Sequence, residues 1–263
     1  MLKNLLKYDL KNIFKGLIIF YILSIISAIL TRCFFLIENS FIMDIVAKVF
    51  SGITISMIFN ILINNMMRTW GKFRENLYGD ESYLTHTLPV EKHSLYLSKF
   101  LTTIITLFTS TLVITLTLFI AYYSKENIEI VKSLLTPLAT LYNSKVIIII
   151  LTFIFICFLE IMNIVQSGFL GIILGHKNNN QKILLSVAFG TATYFATQAL
   201  VLLTIFIAAI FNKDLMNLFY TADVINLDML KTSIYLAILA YTLNIIILYI
   251  VSSKIFKKGV NVD

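Results

Sequence analysis

Glu160 stands near the middle of an apolar run from Val146 to Leu174. At that depth of a bilayer an ionisable side chain costs at least ~2.5–3.5 kcal/mol on insertion scales, so it must face protein or water. Asn163 and Ser167 follow at i+3 and i+7, which puts three polar groups on one helix face. Such a stripe suits a translocation path or a subunit interface. A protonated glutamic acid, hydrogen-bonded inside a helix bundle, is the plainer alternative. Ser167, Gly171 and Gly175 continue the line at spacing four, a pattern that allows close helix approach.

Other chemistry-bearing residues lack the patterns that catalysis needs. His86, His93 and His176 form no H-E-x-x-H pair, and there is no G-x-S-x-G elbow. Gly71-Lys72 lacks the earlier glycine and the following hydroxyl of a phosphate loop. No enzymatic site, metal or cofactor is expected on this chain, and any ATP it uses must be bound by a partner. Cys33 and Cys157 both sit in apolar runs, which fits small core residues better than a disulfide or metal pair. Softer polar features are Thr103, Thr106, Ser110 and Thr117 on one face, Asn60, Asn64 and Asn65, and Ala188, Ala192 and Ala196 with Gln198 nearby. Threonine hydroxyls often bond their own helix carbonyls, so the first of these reads as structural, and the alanine ladder reads as packing. Asp44 and Lys48, at i and i+4, suit an ion pair at a helix end.

The elements that must position these residues follow from hydropathy. The 263-residue chain is 59% hydrophobic and 13% charged, against about 25% charged in soluble domains. Six apolar runs are long enough to cross a bilayer: 16–37, 49–67, 100–123, 146–174, 183–211 and 233–251. They are continuous rather than alternating, which excludes a barrel. The sequence therefore predicts an all-α membrane protein, a single transmembrane domain over 1–263 with six transmembrane helices. Pro89 and Pro137 both fall between runs. With the N-terminus inside, fourteen of the twenty-one basic residues lie on the cytoplasmic side, so both termini are expected there. The first run is long and Thr31-Arg32-Cys33 offers no cleavage site, which reads as a retained helix. Residues 1–14 alternate lysines with leucines at helical spacing, as an interfacial helix would, or as a positive flank that only sets topology. The net charge of +7 suits an anionic inner leaflet rather than nucleic acid.

The stretch 68–99, between the second and third runs, mixes charges with Trp70, Phe73, Tyr78, Tyr83, Leu84 and Leu88. Asp80 after Gly79 suits a helix cap, and Pro89 should break or restart a helix. Short amphipathic helices under the membrane are expected, with aromatics beside Asp80, Glu81 and Glu91 forming a docking surface. A plain interfacial loop with aromatic anchors is the alternative.

Gly79-Asp-Glu-Ser-Tyr-Leu-Thr-His-Thr-Leu-Pro-Val90, followed by Leu95 and Leu97-Ser98-Lys99-Phe-Leu101, resembles a stretch of bacterial type-2 ABC transporter permeases. The likeness covers about 25 residues; elsewhere it rests on six helices, a basic N-terminal helix and a fourth span ending in Gly175-His176-Lys177. Phe100 stands where an aliphatic residue is commoner. The resemblance implies the transmembrane subunit of an exporter in the bacterial cell membrane. A separate ATP-binding subunit, carrying ATP and Mg, would dock at Asp80, Glu81, Tyr83, Leu84, Thr87, Leu88 and Pro89. It also implies a coupling segment over 68–99, short re-entrant helices in the outer segment 212–230, and a second permease chain, identical or different, sharing the pathway.

Apart from Glu160 the apolar runs carry no charge pattern that would draw a strongly anionic substrate, so an apolar or amphipathic one, such as an antimicrobial peptide, fits best. Two other classes remain in view: an immunity or regulatory subunit that docks a partner without transporting, and a proton-coupled secondary transporter using Glu160. No inverted repeat pairs the first three spans with the last three.

Overall fold

A computed structural model describes residues 1–37, 41–178, 180–212, 215–216 and 227–258. Among these residues the chain is all helix, with no strand. The elements are α1 (Leu2–Phe35), α2 (Phe41–Tyr78), α3 (Ser82–Thr87), α4 (Lys92–Tyr122), α5 (Lys125–Leu141), α6 (Val146–Gly175), α7 (Lys182–Phe211) and α8 (Leu227–Lys257). Six of them, all but α3 and α5, are long and apolar enough to cross a membrane. They coincide with the six runs but outlast them. At 1.5 Å per residue the 34 residues of α1 span about 51 Å, well beyond a ~30 Å hydrocarbon core.

Residues 2–14 are therefore not a helix of their own: they are the first turns of α1, which no glycine pair or proline interrupts. In the same way the first part of the 68–99 stretch continues α2 as far as Tyr78, and its last part already belongs to α4. Only α3 is a separate short helix there. The segment expected to hold re-entrant helices, 212–230, lies mostly outside the described residues.

The chain forms two compact units, one of Met1–Phe73 with Pro89–Val131 and one of Arg74–Leu88 with Lys132–Asp263. In the first, α1 packs along α4, and hydroxyls join the helices. Tyr21 and Ser110 share a hydrogen bond of 2.7 Å, Ser24 and Thr117 one of 3.3 Å, and Thr31 meets Thr54 of α2 at 3.0 Å. Asn65 donates to Ser110 at 2.7 Å and accepts from Thr106. The α4 stripe of Thr103, Thr106, Ser110 and Thr117 is thus buried between helices, as its structural reading required. Asn60 and Asn64 instead donate to carbonyls of their own helix. Ile13, Leu17, Tyr21 and Ile61 form the apolar core beside this seam. The expected Asp44–Lys48 pair is present at 2.7 Å, exposed at the start of α2.

In the second unit α6 packs on α7 and α8, and α7 on α8. The small-residue line of α6 is where α7 comes closest. A Cβ on Gly171 would fall on the backbone of Gly190 and Ser186, and one on Gly175 would strike Ser186. Among the described residues nothing covers Ala188, Ala192 and Ala196: α7 turns Ser186, Gly190 and Thr197 inward and leaves that ladder exposed. Cys33 and Cys157 are likewise exposed on their helices rather than in the core. After α5, Asn143 takes the left-handed backbone that asparagine tolerates. There the Tyr142 ring lies 6.0 Å from Tyr235 and under Lys231 Nζ at 5.2 Å. Burial, then the neighbouring Tyr235, raises the Tyr142 phenol above its usual range, so the ring stays neutral beneath that cation.

Candidate functional site

The 79–91 stretch is built around a tight stop to α2. Gly79 N–H donates to Arg74 O at 3.0 Å, and Ser82 N–H to Gly79 O at 2.9 Å. Glu81, not Asp80, occupies the cap position of α3, and its side chain makes no capping bond; Asp80 stands one residue earlier, exposed. Six residues form less than two turns, too few for a stable isolated helix, so α3 must be held by its back face. His86 does this. Its Nε2–H donates to Leu77 O at 3.0 Å, and its ring lies 6.3 Å from Phe256 of α8. Phe256, fully buried, meets Tyr78 edge-on at 6.4 Å, and Tyr78 lies 4.4 Å from the ring of His176. His176 Nδ1 in turn bonds Ile172 O of α6 at 2.9 Å.

With Ser82 and His86 inward, the other face of α3 points out. Tyr83 is 65% exposed and Leu84 76%, with Thr87, Leu88 and Pro89 exposed beside them. Tyr83, Leu84 and Thr87 share one arc of the helix, Leu88 and Pro89 follow its end, and the exposed Asp80 and half-buried Glu81 precede it. All seven residues singled out from the sequence therefore gather at one corner, and an apolar face rimmed by carboxylates is what they present.

The second cluster lies on α6. Glu160 is half-buried, with Oε1 accepting from Tyr194 Oη–H at 2.8 Å and from Gln198 Nε2 at 2.9 Å. Oε2 receives the same amide at 3.2 Å. The other end of that amide accepts from the Tyr241 hydroxyl of α8 at 3.1 Å. The carboxyl thus ties α6 directly to α7 and, through Gln198, to α8. The neighbouring Asn163 is fully buried and donates to Thr197 at 2.9 Å, while Asn244 of α8 donates to the Thr197 carbonyl at 3.1 Å. Asn163 Oδ1 and Ser167 Oγ are buried without hydrogen-bond partners among the described residues. The three residues do share a face, but Asn163 and Ser167 are sealed inside the helix packing and only Glu160 retains some exposure. The partners of Glu160 could have been anticipated in part: Gln198 was visible in the sequence, whereas Tyr194 and Tyr241 look like ordinary aromatics of an apolar run.

Sequence reasoning missed a third group. Asp9, within the lysine-rich start of α1, receives Lys99 Nζ at 2.6 Å on one oxygen and Ser98 Oγ at 2.7 Å on the other. It is largely buried. Among the described residues no group of three or more His, Cys, Asp or Glu side chains is placed to hold a metal ion. No family model, curated protein or solved structure matches the chain.

Proposed function

We propose that this multi-pass membrane protein is the transmembrane subunit of an ATP-driven exporter, of the type-2 ABC permease kind. The observation that carries the reading is α3: a helix too short to stand alone, clamped by His86 from behind and presenting Tyr83, Leu84 and Leu88 outward. Exposed apolar groups on a rigid, polar-rimmed corner are what a protein partner recognises. The partner is a separate ATP-binding subunit, which supplies ATP and Mg. The tie from His86 through Phe256 and Tyr78 to His176 gives a push on α3 a packed route to α6 and α8. The lysine-rich first turns of α1 emerge on the inner side, both termini are cytoplasmic, and a second permease chain completes the pathway. The substrate is apolar or amphipathic, such as an antimicrobial peptide.

The test is copurification from the native host in mild detergent, with the bound protein identified by mass spectrometry. An ABC-type ATPase is expected with the wild type. It should be lost, by at least about tenfold, on Leu84→Asp or on charge reversal at Asp80 and Glu81, since a buried apolar anchor is worth roughly 2 kcal/mol or more. Recovery of no ATPase, or of equal amounts with the variants, overturns the reading.

A further inference from the structure

The helix α5 has no part in the sites above, and it exposes two unlike surfaces. Its phase is fixed at both ends. Ser124 Oγ accepts from the Asn127 N–H at 3.0 Å, and Asn127 Nδ2 donates to the Tyr122 carbonyl at the end of α4, at 2.8 Å. At the other end, the Tyr142 ring is held against Tyr235 and Lys231 of α8. So pinned, α5 turns Ala139 inward and half-buries Ile128, Leu135 and Leu138. On the outward side lie Lys125, Glu129, Lys132, Ser133 and Thr136 along one arc. Ile130, Val131 and Leu134 occupy the opposite arc, at 55, 42 and 69% exposure.

No single solvent suits both arcs, and chain connectivity says where two solvents meet. Two residues join α5 to α4 and four join it to α6, and both of those helices are long and apolar enough to span a membrane. The last turns of α4 expose Leu116, Leu118 and Phe119, and the first turns of α6 expose Ile147, Ile148 and Leu151. Apolar side chains that suit lipid thus precede and follow α5 in the chain.

We propose that α5 lies in the membrane interface as an amphipathic helix, with Ile130, Val131 and Leu134 sunk among the acyl chains and the Lys125–Glu129–Lys132 arc toward water. Its occupant is lipid and not a protein partner. Lys125 and Lys132 are balanced by Glu126 and Glu129, so its seating rests on apolar burial and is indifferent to anionic headgroups. It holds the ends of α4 and α6 at the membrane surface on the side away from α3, since the whole length of α4 separates the two helices in the chain.

The experiment uses the full chain with Cys33 and Cys157 changed to serine, reconstituted in phosphatidylcholine, with a nitroxide on single cysteines at 130, 134, 132 and 136. Labels at 130 and 134 should collide with oxygen severalfold more than with a water-soluble nickel chelate, and those at 132 and 136 the reverse. Adding a quarter phosphatidylglycerol should leave the pattern unchanged. The proposal is overturned if 130 and 134 favour the nickel chelate, which would put the helix in water. It is equally overturned if both reagents are excluded there, which would mean that protein covers the face, or if lipid contact appears only with the anionic lipid.

Discussion

Asp9 shows how much a single side chain can hold when its surroundings hide it. It is the one acidic residue among the first thirty-seven, amid lysines that look like a topology signal, and its partners lie about ninety residues away. Removing one member of a buried ion pair strands the other charge, at a cost of about 3 kcal/mol, whereas removing both is nearly neutral. Lys99→Met should therefore lower the unfolding midpoint in detergent clearly, and the Asp9→Asn, Lys99→Met double variant should recover most of the loss. At Glu160 the donors from α7 outnumber what a neutral apolar replacement could satisfy. Glu160→Ala leaves the Tyr194 hydroxyl and the Gln198 amide without their acceptor, which costs ~1–3 kcal/mol; Glu160→Gln keeps an acceptor and should cost less. Equal melting midpoints for the two variants would show that the network does not tie the helices.

Elements differ in how plainly they can be read. The six long helices announce themselves because burying backbone in hydrocarbon demands long unbroken apolar runs. The extensions of α1, α2 and α4 beyond the apolar runs do not, since charged residues are good helix formers and no hydropathy threshold detects them. α5 was hidden for a related reason. Four of its first eight residues are charged, and Pro137, expected between elements, sits inside the helix, where it forgoes one backbone hydrogen bond on an exposed side. Its 3.6-residue apolar period was present at Ile128, Val131, Leu135 and Leu138, but too short to compete with the runs beside it. The alanine ladder and the two cysteines failed for a different reason: small apolar residues are equally at home in a protein core and against lipid, so composition does not decide between them. For α3 the face was legible and the clamp was not, because Phe256 and His176 are remote in sequence. His86→Ala should loosen α3 without touching its outward face, seen as faster backbone hydrogen exchange at 82–87.

For the whole molecule, six spans require an even number of crossings. Where all six candidate helices cross, residues 3 and 254 lie on one side of the membrane and residue 125 on the other. In a background without native cysteines, single cysteines at 3 and 254 should react with an impermeant maleimide only after cells are opened, and one at 125 before. Labelling of residue 3 and residue 254 under different conditions would mean that one of the six helices does not cross.

The close approach at Gly171 and the space beside Gly16 of α1 set different terms for how the sequence can drift. At Gly171 the neighbour is the backbone of α7, which no side-chain change can withdraw, so any larger residue must displace a helix. At Gly16 the space is taken by the guanidinium of Arg68, the end of a long side chain that can shorten. Alanine at 16 should therefore be accepted once that guanidinium swings aside, whereas alanine at 171 requires α6 and α7 to move apart.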